Sequence, residues 1–403
     1  MRVCLTAWGS RGDVEPLAGL AVGLRELRAE AVVCAPPDDD FRTLLARAGA
    51  PLVPLGPTVR SVVAGPKPPT AQDAFRLAPE LVAARFTTLM EAAKGCDALL
   101  ATGLMPAGAR DVAEKLGIPY VYACFHIFGL PSRHFRPGAR PGAESAQDET
   151  DHRVLWEQDA QRVNGLYGEA LNRHRAALGL PPVDNVRDHV FTDRPWLAAD
   201  ATLCPSVGLT DLDLVRTGPW TLPDTRPLPR ELERFLDQGE PPVYVGFGSM
   251  AAHAPQGIAR TATEAARAQG HRVLLARGWA DLTPIDDAED CFAVGEVNQQ
   301  ALFPRVAAVI HHGGAGTTTT AARAGAPQVV LPRIADQQYW AARVSELSIG
   351  TSHPDPTPTF ASLSAALTTA LSPATRARAK TLSSTIQTDG PTTAAKRLLS
   401  GAE

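Results

Sequence analysis

Short apolar runs alternate with amphipathic stretches along most of the chain. Val3–Thr6, Ala31–Cys34, Leu52–Leu55, Ala98–Thr102 and Tyr120–Ala123 are continuously apolar rather than alternating. That pattern predicts strands buried on both faces of a parallel sheet. Between them, Leu17, Leu20, Ala21, Leu24 and Leu27 fall on one helical face, and helices over 79–94 and 107–116 stop at Gly95 and Gly117. The rhythm breaks from Phe125 to about Thr150, a stretch rich in Pro, Gly, His and Arg, and a long helix follows over Asp151–Leu178. Ala201–Leu203 is expected to be the strand that closes the first half. After the proline-rich 205–223 the pattern restarts with a helix over Leu228–Gln238. Strands follow at Val243–Phe247, Arg272–Ala276, Phe292–Val294, Val306–Ile310 and Gln328–Leu331, and helices run to the end.

Strand–helix alternation of this kind predicts an α/β fold with two Rossmann-like, doubly wound domains facing across a cleft. The boundaries read from the pattern are a first domain over 1–205, a linker over 206–222 and a second domain over 223–389. Residues 390–403 form a separate terminal helix. The halves echo each other: each opens with an apolar strand running into aromatic-Gly-Ser, Trp8-Gly9-Ser10 and Phe247-Gly248-Ser249.

A length of 403 residues favours two domains over one. The composition, 44% hydrophobic and 20% charged with net charge −4, is that of an ordinary globular protein. No basic run stands out, which argues against nucleic acid or an anionic membrane as partner. No run of about 18 apolar residues suggests a membrane span, and the N-terminus lacks the layout of a signal peptide. The six cysteines are scattered without a C-x-x-C pair, so a cytoplasmic protein without disulfides or structural zinc is expected.

Three clusters carry candidate chemistry. In Ile310-His311-His312-Gly313-Gly314-Ala315-Gly316-Thr317, a strand meets glycines and then a helix N-terminus. Unpaired N–H groups and the helix dipole make such a turn an anion site, read here as a diphosphate cradle. The two histidines are no metal pair: adjacent side chains point apart, and no Cys/His/Asp set completes a site. In Gly9-Ser10-Arg11-Gly12-Asp13-Val14-Glu15-Pro16, Ser10 and Arg11 are able to meet a phosphate. Asp13 either faces the cleft or caps the helix that follows. Asp336-Gln337, after a strand end, suits a polyhydroxylated ligand, although Asp336 is equally an N-cap candidate. Trp279 ends a strand in Arg277-Gly278-Trp279. Phe125, His126 and His134 stand in the irregular insertion, where binding function is expected.

Taken together, these residues resemble the family 1 glycosyltransferases of the GT-B fold that decorate antibiotic aglycones in actinobacteria, above all those acting on vancomycin-type glycopeptides. The likeness covers essentially the whole chain. It includes Glu114-Lys115-Leu116-Gly117-Ile118-Pro119-Tyr120, Arg175-Ala176-Ala177-Leu178-Gly179-Leu180-Pro181-Pro182, Pro242 to Ser249 and Val294-Gly295-Glu296-Val297-Asn298. The resemblance implies an N-terminal acceptor domain, a C-terminal nucleotide-sugar domain and a last helix that returns to the first. It also implies an inverting, metal-independent transfer of a sugar to an aglycone hydroxyl, with Asp13 as general base. Donor contacts fall on Ser10, Arg11, Ser249, Trp279, Val297, His312, Gly314, Ala315, Gly316, Thr317, Asp336 and Gln337, and acceptor contacts on Phe125, His126 and His134. Relatives that use UDP-sugars often carry Glu where this chain has Thr320. A deoxyribose has one hydroxyl fewer to hold, so a dTDP-sugar is favoured over a UDP-sugar as donor. Ala341 replaces an Asn common in relatives.

No cofactor is expected beyond that donor. The partners are a nucleotide sugar and a hydroxylated aglycone, whether a glycopeptide, another nonribosomal peptide or a polyketide, and the chain is expected to be a monomer or weak homodimer. Two rival readings stand beside this one: a nucleotide-sugar 2-epimerase of the same architecture, which the insertion at 125–160 disfavours, and a protein of a different class, a non-catalytic sugar-nucleotide-binding helper, which an intact Asp13 and cradle disfavour.

Overall fold

The computed structural model describes residues 1–63, 70–138, 149–248, 257–334 and 336–401. It divides into two compact units, Met1–Leu222 with the chain end from Gln387, and Pro223–Ile386.

The first unit holds a seven-stranded sheet. Its strands are β1 (Arg2–Trp8), β2 (Glu30–Ala35), β3 (Leu52–Pro54), β4 (Ala98–Gly103), β5 (Tyr120–Cys124), β6 (Trp196–Leu197) and β7 (Val215–Arg216), in the order β3-β2-β1-β4-β5-β6-β7. Every pairing is parallel, with Val3 beside both Ala31 and Ala98. The order reverses between β1 and β4, and in open α/β sheets ligands bind at that switch, beyond the carboxyl ends of the strands.

Two expectations need correction here. Ala201–Leu203 is a turn, and the strand that extends the sheet is Trp196–Leu197. A two-residue strand carries too little sequence to show a period. Residues 206–222 are not a free linker either, because Val215–Arg216 hydrogen-bonds to β6 as the sheet edge. The division between units falls at Leu222 and Pro223, and the chain rejoins the first unit at Gln387 rather than at 390.

The chain end belongs to the first unit. Helix Gly390–Leu399 puts Ala394, Ala395 and Leu398 into the same buried cluster as Leu17, Leu20 and Leu24 of helix Arg11–Glu26. Gly23 permits the approach: a Cβ there would lie 2.8 Å from the carbonyl oxygen of Pro391. Asp200 fixes the crossing by accepting the Gln387 N–H at 2.7 Å.

The second unit repeats the plan with β8 (Val243–Gly246), β9 (Val273–Ala276), β10 (Cys291–Val294), β11 (Ala308–His311), β12 (Gln328–Val330) and β13 (Gly350–Ser352), ordered β10-β9-β8-β11-β12-β13 and all parallel. Its switch lies between β8 and β11. All six cysteines are free thiols. Among the described residues no helix is long and apolar enough to cross a membrane.

Candidate active site

In the first unit the switch point is occupied by the turn after β1. Ser10 has extended backbone and caps helix Arg11–Glu26, its Oγ accepting from the Gly12 N–H at 3.2 Å. Capping is therefore done by Ser10, which leaves Asp13 as a half-buried carboxylate in the first turn, where the helix dipole favours negative charge. Ser10 Oγ also lies 3.3 Å from Asp13 Oδ2 and donates to it. Gly9 is required for this arrangement, since a Cβ there would fall 2.2 Å from Asp13 Oδ2. Gly103, at the end of β4, closes the other side: its Cβ would lie 3.5 Å from that of Asp13. Arg11 pairs with Glu15 one turn along the same helix, at 2.6 Å.

The insertion residues divide. Phe125 packs edge-on against Trp220, with ring centroids 5.9 Å apart, at the margin of the main core. His126 is half-buried, and its Nδ1 is enclosed without a hydrogen-bond partner. His134 is exposed, and its backbone N–H donates to Ser132 Oγ. The segment is pinned to helix His152–Ala177 by the Trp156 indole N–H, which donates to the Phe135 carbonyl at 2.9 Å.

In the second unit three loops converge at the switch. Gly248 follows β8, Gly278 follows β9 and His312 follows β11. A Cβ on Gly278 would stand 2.8 Å from the Gly248 carbonyl oxygen, and one on Gly248 would stand 3.7 Å from His312 Cε1. Helix Ala315–Ala324 begins directly beyond. Its N-cap is Gly314, which offers no side chain, and its first turn carries no acidic residue. The first intrahelical bond of this turn runs from Thr318 N–H to the Gly314 carbonyl (3.0 Å), so the N–H groups of Ala315, Gly316 and Thr317 precede the ladder.

The two histidines have different jobs. His311 is wholly buried. Its Nδ1 accepts the Gly313 N–H at 3.1 Å, which puts the ring proton on Nε2, 2.9 Å from Gln328 Oε1. Burial, with the neighbouring His312 in support, pushes its pKa down to about 3. Gln328 passes the constraint on to the Thr318 carbonyl at 3.4 Å. This buried chain fixes Gly313 at a φ of 91° and so sets where the cradle begins. His312 instead leans over the helix start: a Cβ on Gly314 would lie 2.6 Å from its Nε2. Its Nδ1 is enclosed without a partner, and burial pushes its pKa down to about 4 against the opposing pull of Asp336. The ring is therefore neutral at pH 7. The tautomer with N–H on Nε2 leaves only a lone pair enclosed and turns the donor toward Gly314.

Asp336 occupies the N-cap position of helix Gln337–Glu346, but its side chain makes no cap bond. Its Oδ2 instead accepts the Trp340 indole N–H at 2.6 Å. Gln337 is buried, and its Oε1 accepts the N–H groups of Arg333 (2.9 Å) and Ile334 (3.1 Å), which ties up the carbonyl end of the amide. Val297 turns its side chain toward the cluster of Leu274, Val294 and Phe303. The next residue, Asn298, caps helix Gln299–Leu302 and donates to the carbonyls of Asp224 and Arg226. Ser249 and the side chain of Trp279 lie outside the described residues.

The sequence reading missed Gln328 and Trp340. The second carried a signal, since Asp336 and Trp340 stand four apart at a helix start, where side chains meet.

Comparison with known proteins follows the same lines. Residues 282–400 match the family described as erythromycin biosynthesis protein CIII-like, C-terminal domain. The chain is 55% identical to glycosyltransferase GtfE of Amycolatopsis orientalis over 99% of its own length and 97% of the relative's. It is 54% identical, over the same shares, to vancomycin aglycone glucosyltransferase of that organism. The solved structure of the glycotransferase of kitacinnamycin superposes with a TM-score of 0.73 at 18% identity, covering 98% of this chain and 97% of that one.

Proposed function

We propose a specific reaction for this chain, which belongs to the GT-B-fold antibiotic glycosyltransferases of the vancomycin type and is an enzyme that transfers a sugar to an aglycone. Asp13 takes the proton of an aglycone hydroxyl as that oxygen attacks the anomeric carbon of a nucleotide sugar. The nucleoside diphosphate departs from the opposite face, so configuration inverts. Charge growing on the departing diphosphate is met by Nε2–H of His312 and by the N–H groups of Ala315, Gly316 and Thr317. Ser10, Arg11 and Ser249 add donors, and no divalent metal is needed.

Asp336 and the amide N–H of Gln337 hold sugar hydroxyls, while the backbone at Val297, flanked by Trp279, meets the base. Phe125, His126 and His134 border the acceptor. A dTDP-sugar is the favoured donor. Thr320 supports that choice, because its hydroxyl bonds back to the Gly316 carbonyl at 2.9 Å and presents no carboxylate for a ribose 2′-hydroxyl. The favoured acceptor is a glycopeptide aglycone, in line with the name of the 54% identical relative.

The observation that carries this reading is the cradle: a neutral imidazole over Gly314, beside three helix N–H groups, at the switch point of the second sheet. It is tested by incubating the enzyme with glycopeptide, other nonribosomal peptide and polyketide aglycones and with dTDP- and UDP-glucose, followed by mass spectrometry. A mass gain of one hexose on a glycopeptide aglycone is expected. Hydrolysed or epimerised donor with no glycosylated product from any acceptor would sink it.

A further inference from the structure

We propose that Trp340 is a positioning residue that holds one oxygen of the Asp336 carboxylate, so that only the other oxygen is presented to the donor sugar. The proposal rests on the reading above that Asp336 meets the sugar, and adds how that carboxylate is aimed.

An Asp at the N-cap ordinarily spends its carboxylate on the N–H groups two and three residues ahead. Here the backbone of Asp336 is already helical (φ −73°, ψ −7°), and its carbonyl accepts from Tyr339 N (3.0 Å) and Trp340 N (3.2 Å). The side chain is thereby released from capping. It turns along the helix to Trp340, where the 2.6 Å separation between indole nitrogen and Oδ2 marks a charge-assisted hydrogen bond.

Trp340 cannot easily yield. It is 1% exposed, it is among the largest fully buried side chains, and its ring meets that of Tyr339 at 5.1 Å with the planes 67° apart. A buried indole N–H needs a partner, and Asp336 supplies it. A rigid donor thus fixes a short, otherwise mobile acceptor. The carboxylate it fixes lies near the cradle, close enough to oppose the effect of burial on His312. Oδ2 is consumed by the indole. Oδ1 is left as the acceptor for a sugar hydroxyl, with its direction set before the donor arrives.

The test replaces the N–H while keeping the ring. In Trp340→Phe, isothermal titration compares dTDP with dTDP-glucose and UDP with UDP-glucose. A positioning role predicts about a 10- to 15-fold weakening of the sugar-bearing ligand in each pair, the size of one lost hydrogen bond to a charged group at the low end. The bare diphosphates should bind as before. Asp336→Ala should weaken the sugar-bearing ligands at least as much, and adding Trp340→Phe to it should cost nothing further.

Equal weakening of diphosphate and nucleotide sugar would show Trp340 to be mere packing and overturn the proposal. So would an effect that adds in full to that of Asp336→Ala, or no effect of Trp340→Phe where Asp336→Ala has one. If neither substitution changes sugar binding, the role of Asp336 falls too, and that outcome is distinct from the others. Should Trp340→Phe fail to fold, benzothienylalanine at position 340 keeps the bicyclic shape with sulfur in place of N–H, and the same comparison applies.

Discussion

Three neighbouring glycines of the cradle respond to the same substitution in three different ways, and the contrast tests the diphosphate reading closely. At Gly314 the backbone is extended (φ −64°, ψ 141°), so alanine carries no conformational cost. Its methyl, however, would stand 2.6 Å from His312 Nε2 and 3.3 Å from Cε1, and the imidazole must swing away. Nothing hydrogen-bonds His312 Nδ1 in its present place, so the swing costs the fold little. The ligand loses one donor to a charged oxygen, about 1.5–3 kcal/mol, or roughly 10- to 150-fold in Kd.

At Gly313 the outcome reverses. A φ of 91° and a Cβ only 2.8 Å from Val330 Cγ1 make alanine destabilising by about 1–3 kcal/mol from backbone strain, before the clash is added. At Gly316 a Cβ meets nothing within 4 Å, and in a helix Gly→Ala stabilises by up to about 0.5–1 kcal/mol. Titration calorimetry with dTDP and UDP, set beside thermal unfolding of each variant, separates the effects. Gly314→Ala should lose binding but keep its melting temperature, Gly313→Ala should lose melting temperature, and Gly316→Ala should keep or raise it. Wild-type diphosphate affinity in both Gly314→Ala and His312→Ala would refute the cradle.

The remaining expectations concern catalysis and stability. Asp13→Ala should abolish most transfer while leaving nucleotide binding intact; unchanged turnover would remove Asp13 as the base. Transfer should persist in excess chelator, and activity lost there but restored by Mg²⁺ would overturn the metal-free mechanism. The one His/carboxylate group among the described residues close enough to hold a cation, Asp111 with Glu114 and His189, is bound by Arg175 Nη1 at 2.5 Å (Asp111) and 2.8 Å (Glu114). Arg175→Met would leave the wholly buried Asp111 charge short of its main partner and should cost about 3–5 kcal/mol in denaturant unfolding at pH 7. Burial opposes ionisation of Asp111, but His189 and Arg175 outweigh it and hold its pKa below the usual carboxylate range. The stabilisation is therefore complete above about pH 4 and drains as pH falls through the depressed value, so wild type and Arg175→Met should converge in acid. A difference that does not shrink as pH falls below about 4 would mean the loss was packing rather than charge.

The strands of both units were legible because a parallel strand buried on two faces leaves a continuous apolar run, as in Val306–Ile310. The cradle was legible because glycines had to follow that run at once. Capping was not legible. Ser10 and Asp13 are both good cap residues three apart, and only the extended backbone at Ser10 decides between them. At Asp336 the carboxylate likewise does not cap, although the residue holds the N-cap position, and is handed to Trp340. Two-residue strands such as Trp196–Leu197 have no period to read, and the tie between Arg175 and Asp111 spans 64 positions.

The division of labour between the histidines shows why local sequence ran out where it did. His311 and His312 are chemically identical, and alternation along a strand says only that they point to opposite sides. Which of them is wholly buried and hydrogen-bonded depends on β12, where Gln328 stands ready to accept from Nε2–H of His311. Gln328→Leu would strand that N–H without a partner, at a cost of about 1–3 kcal/mol. Relaxation of His311 would also release Gly313 and so move His312. Loss of diphosphate affinity in Gln328→Leu, with partial recovery in Gln328→Glu, whose carboxylate can still accept from Nε2, is the expected pattern in calorimetry. Full affinity in both would mean that the cradle is held by its glycines alone.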